Sequence, residues 1–570
     1  MERSFRNKVL FIAFAFALLS AVAVGRLIYV NLKGDEIVEN AARSFKDVTI
    51  KVLPRYRAAI TDRHGKPLAL SYPVGYVFTF KFYAFKDEEK KRKLARVLAR
   101  LLNLDERELL KLFELKRPSI ELATFPLERT EEVARAIKSV DYDPKKGRYE
   151  KPFISSFVNV GEKFERFYPH GRLASNLLGF VKKDGSGGGG LEYQFEERLL
   201  GGKKRFVRYI LYRDKGFLFL EPLDEEELVA RELRLSLDFR LQAAVEEIKR
   251  EIVRKFRPKK VVVVVMESKT GKIRAFTTYP DFDPNRTRVY KPYTRNFGTV
   301  DLFEPGSTFK PFLVAYALEK GIIGPRTLIK IDYGRTVVHR KTLRDPVSYL
   351  RKKKFITPEE LLVYSSNVGA VKLGLRLSAA QFKELLSLFR LDETPRVLLG
   401  ETPPLIADLR NEVNRAYASI GQGLSFNALH LLSSFNALVT GRWVKPSILE
   451  DEEPEVRPLP LSPSTVKWVR RTLVKVVEEG TGRRAKTELY FVGGKTGTAQ
   501  KFDARLKRYS NRKLTTFFVG FFPSEPRFTA LILVDEPKGK ELYGGTVAAP
   551  FFKKLVEKAA VIYGLEPDKR

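Results

Sequence analysis

The chain has 570 residues, 44% of them hydrophobic and 30% charged, which is more than one hydrophobic core usually supports and excludes a wholly disordered polymer. Its formal net charge of +35 suits an anionic membrane surface or acidic polymer. No zinc-finger spacing, phosphate-loop motif or compact basic block with interleaved aromatics accompanies that charge, so nucleic acid is not expected as a partner, and the absence of cysteine excludes disulfides and thiolate metal sites.

At the N-terminus, Arg3, Arg6 and Lys8 precede an apolar run, and Val9 to Val30 is long enough to cross a bilayer core of about 30 Å if Arg26 snorkels. The early positive charges place the N-terminus in the cytoplasm. This reading gives a single-pass anchor with the rest of the chain outside the membrane. A cleaved signal peptide ending near Ala21-Val22-Ala23 is the rival.

From Asp35 to Glu232 the chain alternates short strand-like and helical pieces, with a charged helical stretch at Asp87 to Lys116 and a flexible glycine-rich turn at Lys182 to Tyr193. Beyond Leu235 the pattern is more regular. A helix should bury Leu241, Ala244, Val245 and Ile248 on one face, and "VVVVVMESKTGKIRAFTTYP" reads as two strands turning at Gly271. Tyr490 to Lys501, Thr515 to Phe522 and Phe528 to Val534 read as strands, followed by a closing helix, Thr546 to Tyr563, with Pro550 in its first turn. Strands at both ends of a helix-rich middle predict one antiparallel sheet covered by helices, an α+β arrangement.

In "LFEPGSTFKPFLVAYALEKG", Ser307 stands three residues before Lys310 at the predicted start of a helix that should bury Phe309, Phe312, Leu313, Tyr316 and Ala317 along one face. A lysine so placed can take the serine's proton if burial or nearby positive charge lowers its pKa. The spacing alone decides nothing, because Ser464/Lys467 and Ser510/Lys513 share it. "YSSNVG" adds Ser365 and Asn367, and "FVGGKTGTAQ" adds Lys495, Thr496, Gly497 and Thr498 after Gly493 and Gly494, two glycines that would let a ligand approach the backbone. Decoys exist here too: S-x-N recurs at Ser425/Asn427 and Ser434/Asn436, and K-T-G at Lys269 to Gly271.

The ordered set S-x-x-K, S-x-N, K-T-G resembles the penicillin-binding proteins and serine β-lactamases. Further blocks, "RAAITDRHGKPLALS", "ERFYPHGRLASNLLGFV", "GGGLEYQFEERLLGG", "LSLDFRLQ", "KTGKIRAFTTYPDFDPN" and "GGTVAAPFF", are similar to the class B, monofunctional enzymes, and "SSN" with "VVEEGTGRRA" looks like the cell-division type. Ala58 stands where that family usually has glycine, and "RNFGTVDLFEPGS" departs from the usual approach to the nucleophile. The resemblance implies a cytoplasmic tail (1–8), a transmembrane anchor (9–30), an elongated mixed pedestal (31–232) and a transpeptidase domain (233–570) built on a five-stranded antiparallel sheet flanked by helices. It implies a peptidoglycan D,D-transpeptidase of the bacterial cytoplasmic membrane, acting outside the cytoplasm on D-Ala-D-Ala stem peptides and inhibited by β-lactams. Ser307 would be the nucleophile and Lys310 the base, with Ser365, Asn367 and Lys495 relaying protons and Thr496, Gly497 and Thr498 binding the substrate. No metal or cofactor is expected, and the partners would be a membrane-embedded glycosyltransferase and division proteins. An elongation-type enzyme and a non-catalytic β-lactam receptor are the alternatives.

Overall fold

The protein is described by a computed structural model covering residues 18–27, 29, 48–51, 56–200, 207–211, 217–219, 230–339, 341–503 and 508–569. It forms two compact units. The smaller contains a three-stranded antiparallel sheet in the order Val48–Lys51, Val207–Leu211, Phe217–Phe219, together with a helix over 18–27. The expected membrane span, Val9 to Val30, lies largely outside the described residues, and among the described residues no helix is long and apolar enough to cross a membrane.

The larger unit joins residues 56–201 to 230–570. Its C-terminal part is built on strands β1 (Lys260–Glu267), β2 (Ile273–Tyr279), β3 (Gly493–Asp503), β4 (Arg508–Phe522) and β5 (Phe528–Asp535), all antiparallel, in the order β2-β1-β5-β4-β3. The valine run of β1 is buried on both faces. Val261, Val263 and Val265 pack beneath helices α1 (Phe239–Phe256) and α6 (Ala549–Tyr563), while Val262 and Val264 face the core around α2 (Lys310–Glu319), α4 (Ala428–Thr440) and α5 (Pro463–Glu478). The side-chain period of two along a strand thus divides one sheet between two cores.

Three local expectations change. α2 is buried on every side, from Lys310 through Ala317, because it lies between the sheet and an outer layer of helices and has no solvent face. The closing helix is two pieces, Gly544–Val547 and Ala549–Tyr563, and Pro550 starts the second, where its missing N–H leaves no intrahelical bond unmade. The stretch at Lys182 to Tyr193 is a packed element rather than a flexible turn: Phe180–Val181 pairs with Gly187–Gly189, and the chain enters a short helix, Gly190–Gln194. A side chain at Gly187 would bring its Cβ to 2.3 Å from the Glu192 carbonyl oxygen, so glycine there is a packing requirement.

That helix delivers Glu192 into the interior of the larger unit with none of its surface exposed. Its carboxylate accepts hydrogen bonds from Arg57 Nε, from Arg166 Nε at 2.7 Å and from the Tyr168 hydroxyl at 3.1 Å. Arg166 also donates to the carbonyl of Ala58 at 2.8 Å. Burial alone would raise the carboxyl pKa, but the two guanidiniums outweigh it and hold Glu192 below the ordinary carboxylate range. Nearby, the Asn176 amide donates to the carbonyls of Tyr293 (2.7 Å) and Arg295 (3.0 Å), tying its helix to the segment that leads to Ser307. Glu192→Ala leaves buried Arg166 without a carboxylate partner and Arg57 with Glu196 alone, and is expected to cost about 3–5 kcal/mol, read as a lower urea midpoint. In the unsubstituted protein this contribution is present above the ordinary value of 4.5 and is lost as pH falls through the depressed folded value.

Candidate active site

Ser307 lies in a 3₁₀ turn, Gly306–Phe309, that runs directly into α2 at Lys310. The turn begins in a left-handed conformation at Gly306 (φ 53°), whose N–H donates to the Gly421 carbonyl at 3.2 Å. A Cβ at Gly421 would lie 2.1 Å from the Gly306 oxygen, so the two glycines meet backbone to backbone. Ser307 is half-buried at the surface of this turn, while Lys310, one turn on, is fully buried.

Lys310 Nζ donates to Asn367 Oδ1 (2.7 Å), to the Ser365 carbonyl (2.8 Å) and to Ser365 Oγ (3.3 Å). Lys495, on β3, donates to the same Ser365 hydroxyl at 3.0 Å and to the Thr496 carbonyl at 3.2 Å. Two lysines from distant parts of the chain therefore converge on one serine. Among the described residues neither has a carboxylate within salt-bridge distance. Burial brings the Lys310 ammonium down to about 7, with Asp345 partly opposing the change. Burial and then the charge of Lys310 push Lys495 well below the ordinary lysine value. Ser365 itself sits at φ 58°, an uncommon conformation for a residue with a side chain, between the end of one helix and the start of α3 (Asn367–Gly374).

A buried aspartate that the motifs did not mark holds that turn in place. Asp345 Oδ1 accepts from the backbone N–H of Asn367 (2.6 Å) and Val368 (3.0 Å), and Oδ2 accepts from Ser366 Oγ (2.9 Å). A carboxylate at a helix N-terminus satisfies donors that have no intrahelical acceptor. Ser366 caps the same helix through Gly369 N–H at 2.9 Å.

On the other side of the site, β3 is the edge strand of the sheet. Gly497 lets it approach the nucleophile turn, because a Cβ there would come within 2.9 Å of Thr308 Cγ2 and 3.0 Å of the Pro305 oxygen. Thr496 Oγ1 donates to Thr481 Oγ1 at 3.1 Å, and Thr498 Oγ1 accepts from Gly544 N–H at 3.0 Å. Thr481 and Gly544 belong to two of the blocks quoted above, yet nothing in their local spacing assigned them to the site. Gly493 and Gly494 do not make room for a ligand as expected: Cβ atoms there would lie 2.2 Å from the Phe521 ring and 2.7 Å from the Phe518 ring, so the space is already filled by β4.

The family model for the penicillin-binding protein transpeptidase domain matches residues 261–557, and that for the penicillin-binding protein dimerisation domain matches residues 53–210. The chain is 30% identical over 581 residues to the probable peptidoglycan D,D-transpeptidase PenA of Neisseria gonorrhoeae, covering 99% of this chain and 94% of that one. It is 27% identical over 581 residues to the peptidoglycan D,D-transpeptidase FtsI of Escherichia coli, covering 98% and 93%. The crystal structure of penicillin-binding protein 2X from Streptococcus thermophilus shares the fold, with a TM-score of 0.71 at 21% identity, covering 90% of this chain and 81% of that one. This chain belongs to the class B penicillin-binding proteins. By family it is a serine-type peptidoglycan D,D-transpeptidase.

In this penicillin-binding protein the decoy motifs have other occupations. Ser464 and Lys467 are exposed on α5. Ser510 and Lys513 lie in an irregular part of β4, where the Ser510 hydroxyl accepts from the Lys513 backbone N–H at 3.1 Å. Asn427 caps α4 through His430 N–H at 2.8 Å, and Asn436 bonds Thr529 (2.8 Å) and the Ser268 carbonyl (3.1 Å) inside the core. The first K-T-G is the turn between β1 and β2. Asp345→Asn is expected to slow β-lactam acylation about tenfold, equivalent to ~1.4 kcal/mol of lost positioning. Because Asp345 raises the Lys310 pKa, the acid limb of the rate profile should also move to lower pH, which loss of a purely structural contact would not produce.

Proposed function

We propose that Ser307 is the acyl-accepting nucleophile and Lys310 its general base, a reading carried by the convergence of Lys310, one turn after Ser307, and Lys495 on the Ser365 hydroxyl. Neutral Lys310 takes the Ser307 proton as Ser307 Oγ attacks the carbonyl carbon of the penultimate D-alanine. The amide C–N bond then breaks, and the departing D-alanine nitrogen receives a proton relayed through Ser365, with Lys495 sustaining the polar network. A neutral amine from a second stem peptide then attacks the ester carbonyl and gives a proton to Lys310, which is neutral again; the ester C–O bond breaks, the new amide forms, and Ser307 Oγ leaves taking that proton back from Lys310. Asn367 orients Lys310, and Thr496 and Thr498 bind the donor carboxylate along the edge of β3. The Ser307 N–H, in a first helical turn where N–H groups lack intrahelical acceptors, and the Thr498 N–H form the oxyanion hole, worth about 3–4 kcal/mol in comparable acyl transfers. Gly497 acts by permitting close approach of the strand.

The same reading assigns residues 1–8 to a cytoplasmic tail, 9–30 to a transmembrane anchor, 31–232 to the pedestal and 233–570 to an extracytoplasmic transpeptidase domain. Asn367 and the "VVEEGTGRRA" segment support a septal role beside a membrane-embedded glycosyltransferase and division proteins.

A fluorescent penicillin should label Ser307 covalently; Ser307→Ala should abolish labelling, Lys310→Ala should slow it by at least about a hundredfold as expected for loss of a general base, and Ser464→Ala should label normally. Acylation should rise with pH as Lys310 deprotonates through about 7, and a rate that is flat from pH 5 to 9 would remove Lys310 from the role of base. The anchor has its own test: the full chain should stay in membranes through an alkaline wash, whereas a mature N-terminus near Val24 would establish cleavage.

A further inference from the structure

The reaction takes two peptides, and the edge of β3 accounts for one. The opposite lip of the site is the hairpin Arg335–Val338/Lys341–Arg344, whose Arg344 carbonyl lies 3.4 Å from Asn367 Nδ2. Its register places Arg335 directly across from Arg344, so two guanidinium side chains occupy one face of the ladder. Exposed Val337 shares that face. Like charges directly opposite on a hairpin are destabilising. Among the described residues neither arginine has a carboxylate within salt-bridge distance to relieve the repulsion. Nor does the surrounding segment supply one. Residues 326–354 carry ten Lys and Arg against two Asp, of which Asp332 faces Lys330 at 3.4 Å and Asp345 is committed to Ser366, Asn367 and Val368.

A solvated basic surface does not need its charges in cross-strand register beside a catalytic turn. A pair of planar forks in that register matches a carboxylate or two held between them. We propose that the Arg335/Arg344 face docks the acyl-accepting strand, a glycopeptide carrying free carboxylates, and brings its amine to the acyl-enzyme from the side opposite β3; this rests on the transpeptidase reading above.

The test uses the full chain in detergent with a D-alanyl thioester donor and two acceptors: a diamino-acid peptide with free carboxylates, and the same peptide with those carboxylates amidated. Arg335→Glu and, separately, Arg344→Glu should each raise the KM for the free-carboxylate acceptor about fivefold, the effect of ~1 kcal/mol per lost charge contact. The amidated acceptor and the rate of fluorescent-penicillin labelling should be unchanged, and the wild-type KM for the free-carboxylate acceptor alone should rise with salt. Equal KM values for the two acceptors in the wild type would overturn the proposal. So would a charge reversal that slows penicillin labelling as much as transfer, since the hairpin would then act on Ser307 rather than on the acceptor. Absence of labelling in the wild type would instead remove the transpeptidase reading, and this inference with it.

Discussion

Two ammonium groups buried against a single hydroxyl cannot both keep a full charge, and the architecture around Ser307 is organised by that restriction. Lys310 is inaccessible because α2 is enclosed on all sides, and Lys495 because its strand is pressed against the nucleophile turn by Gly497. Neither lysine would be perturbed on an open surface, where water would stabilise the charge. The hydrogen-bond acceptors supplied to them are neutral: two hydroxyl or amide oxygens and two backbone carbonyls. Among the described residues the one nearby carboxylate, Asp345, is turned toward backbone N–H groups of α3, so it steadies the site without neutralising either lysine.

The sheet was legible because its strands carry alternating or uniformly apolar runs, and those are local properties. The motif serines and lysines were legible because their order in the chain separates them from chance matches. Asp345 was invisible for the opposite reason. It lies 20 residues before Ser365 in a basic, unpatterned stretch, and its role exists only once the hairpin folds back on α3. Thr481 was hidden in the same way. The glycines misled where they were read as permission for a ligand or for flexibility: at Gly493, Gly494 and Gly187 the missing side chain is replaced by another part of the same protein. Periodicity likewise predicted a one-faced α2, since it cannot distinguish a surface helix from a central one when both faces are apolar.

Part of the large positive charge is engaged within the fold. Lys90 Nζ donates to the carbonyls of Glu150 (2.6 Å) and Pro152 (2.8 Å), Lys93 to that of Val140 (3.0 Å), and Lys272, almost wholly buried, to that of Leu449 (2.7 Å). These ammonium groups close loop ends by satisfying carbonyl oxygens. Net charge counted over the whole chain therefore overstates what is offered to a partner, and only clusters without such duties, as on the Arg335–Arg344 hairpin, retain that significance.

Glu192 and its two arginines have a consequence for the order in which the chain can fold. Arg57 and Glu192 are 135 residues apart, and Arg166 and Glu192 are 26 apart. The strand at Ile60–Thr61 pairs locally with Pro67–Phe80 on one side, but its other, parallel neighbour is Leu233–Arg234, farther along still. A carboxylate cannot enter an apolar interior ahead of its counter-ions, so a partly synthesised pedestal lacks the contacts that would lock it. Long loops must close before any of them is rewarded, which makes this region slow to nucleate and all-or-none once nucleated. The strand Ile60–Thr61 gains its second neighbour, and Glu192 its full set of counter-ions, only when segments far apart in the chain are in place together.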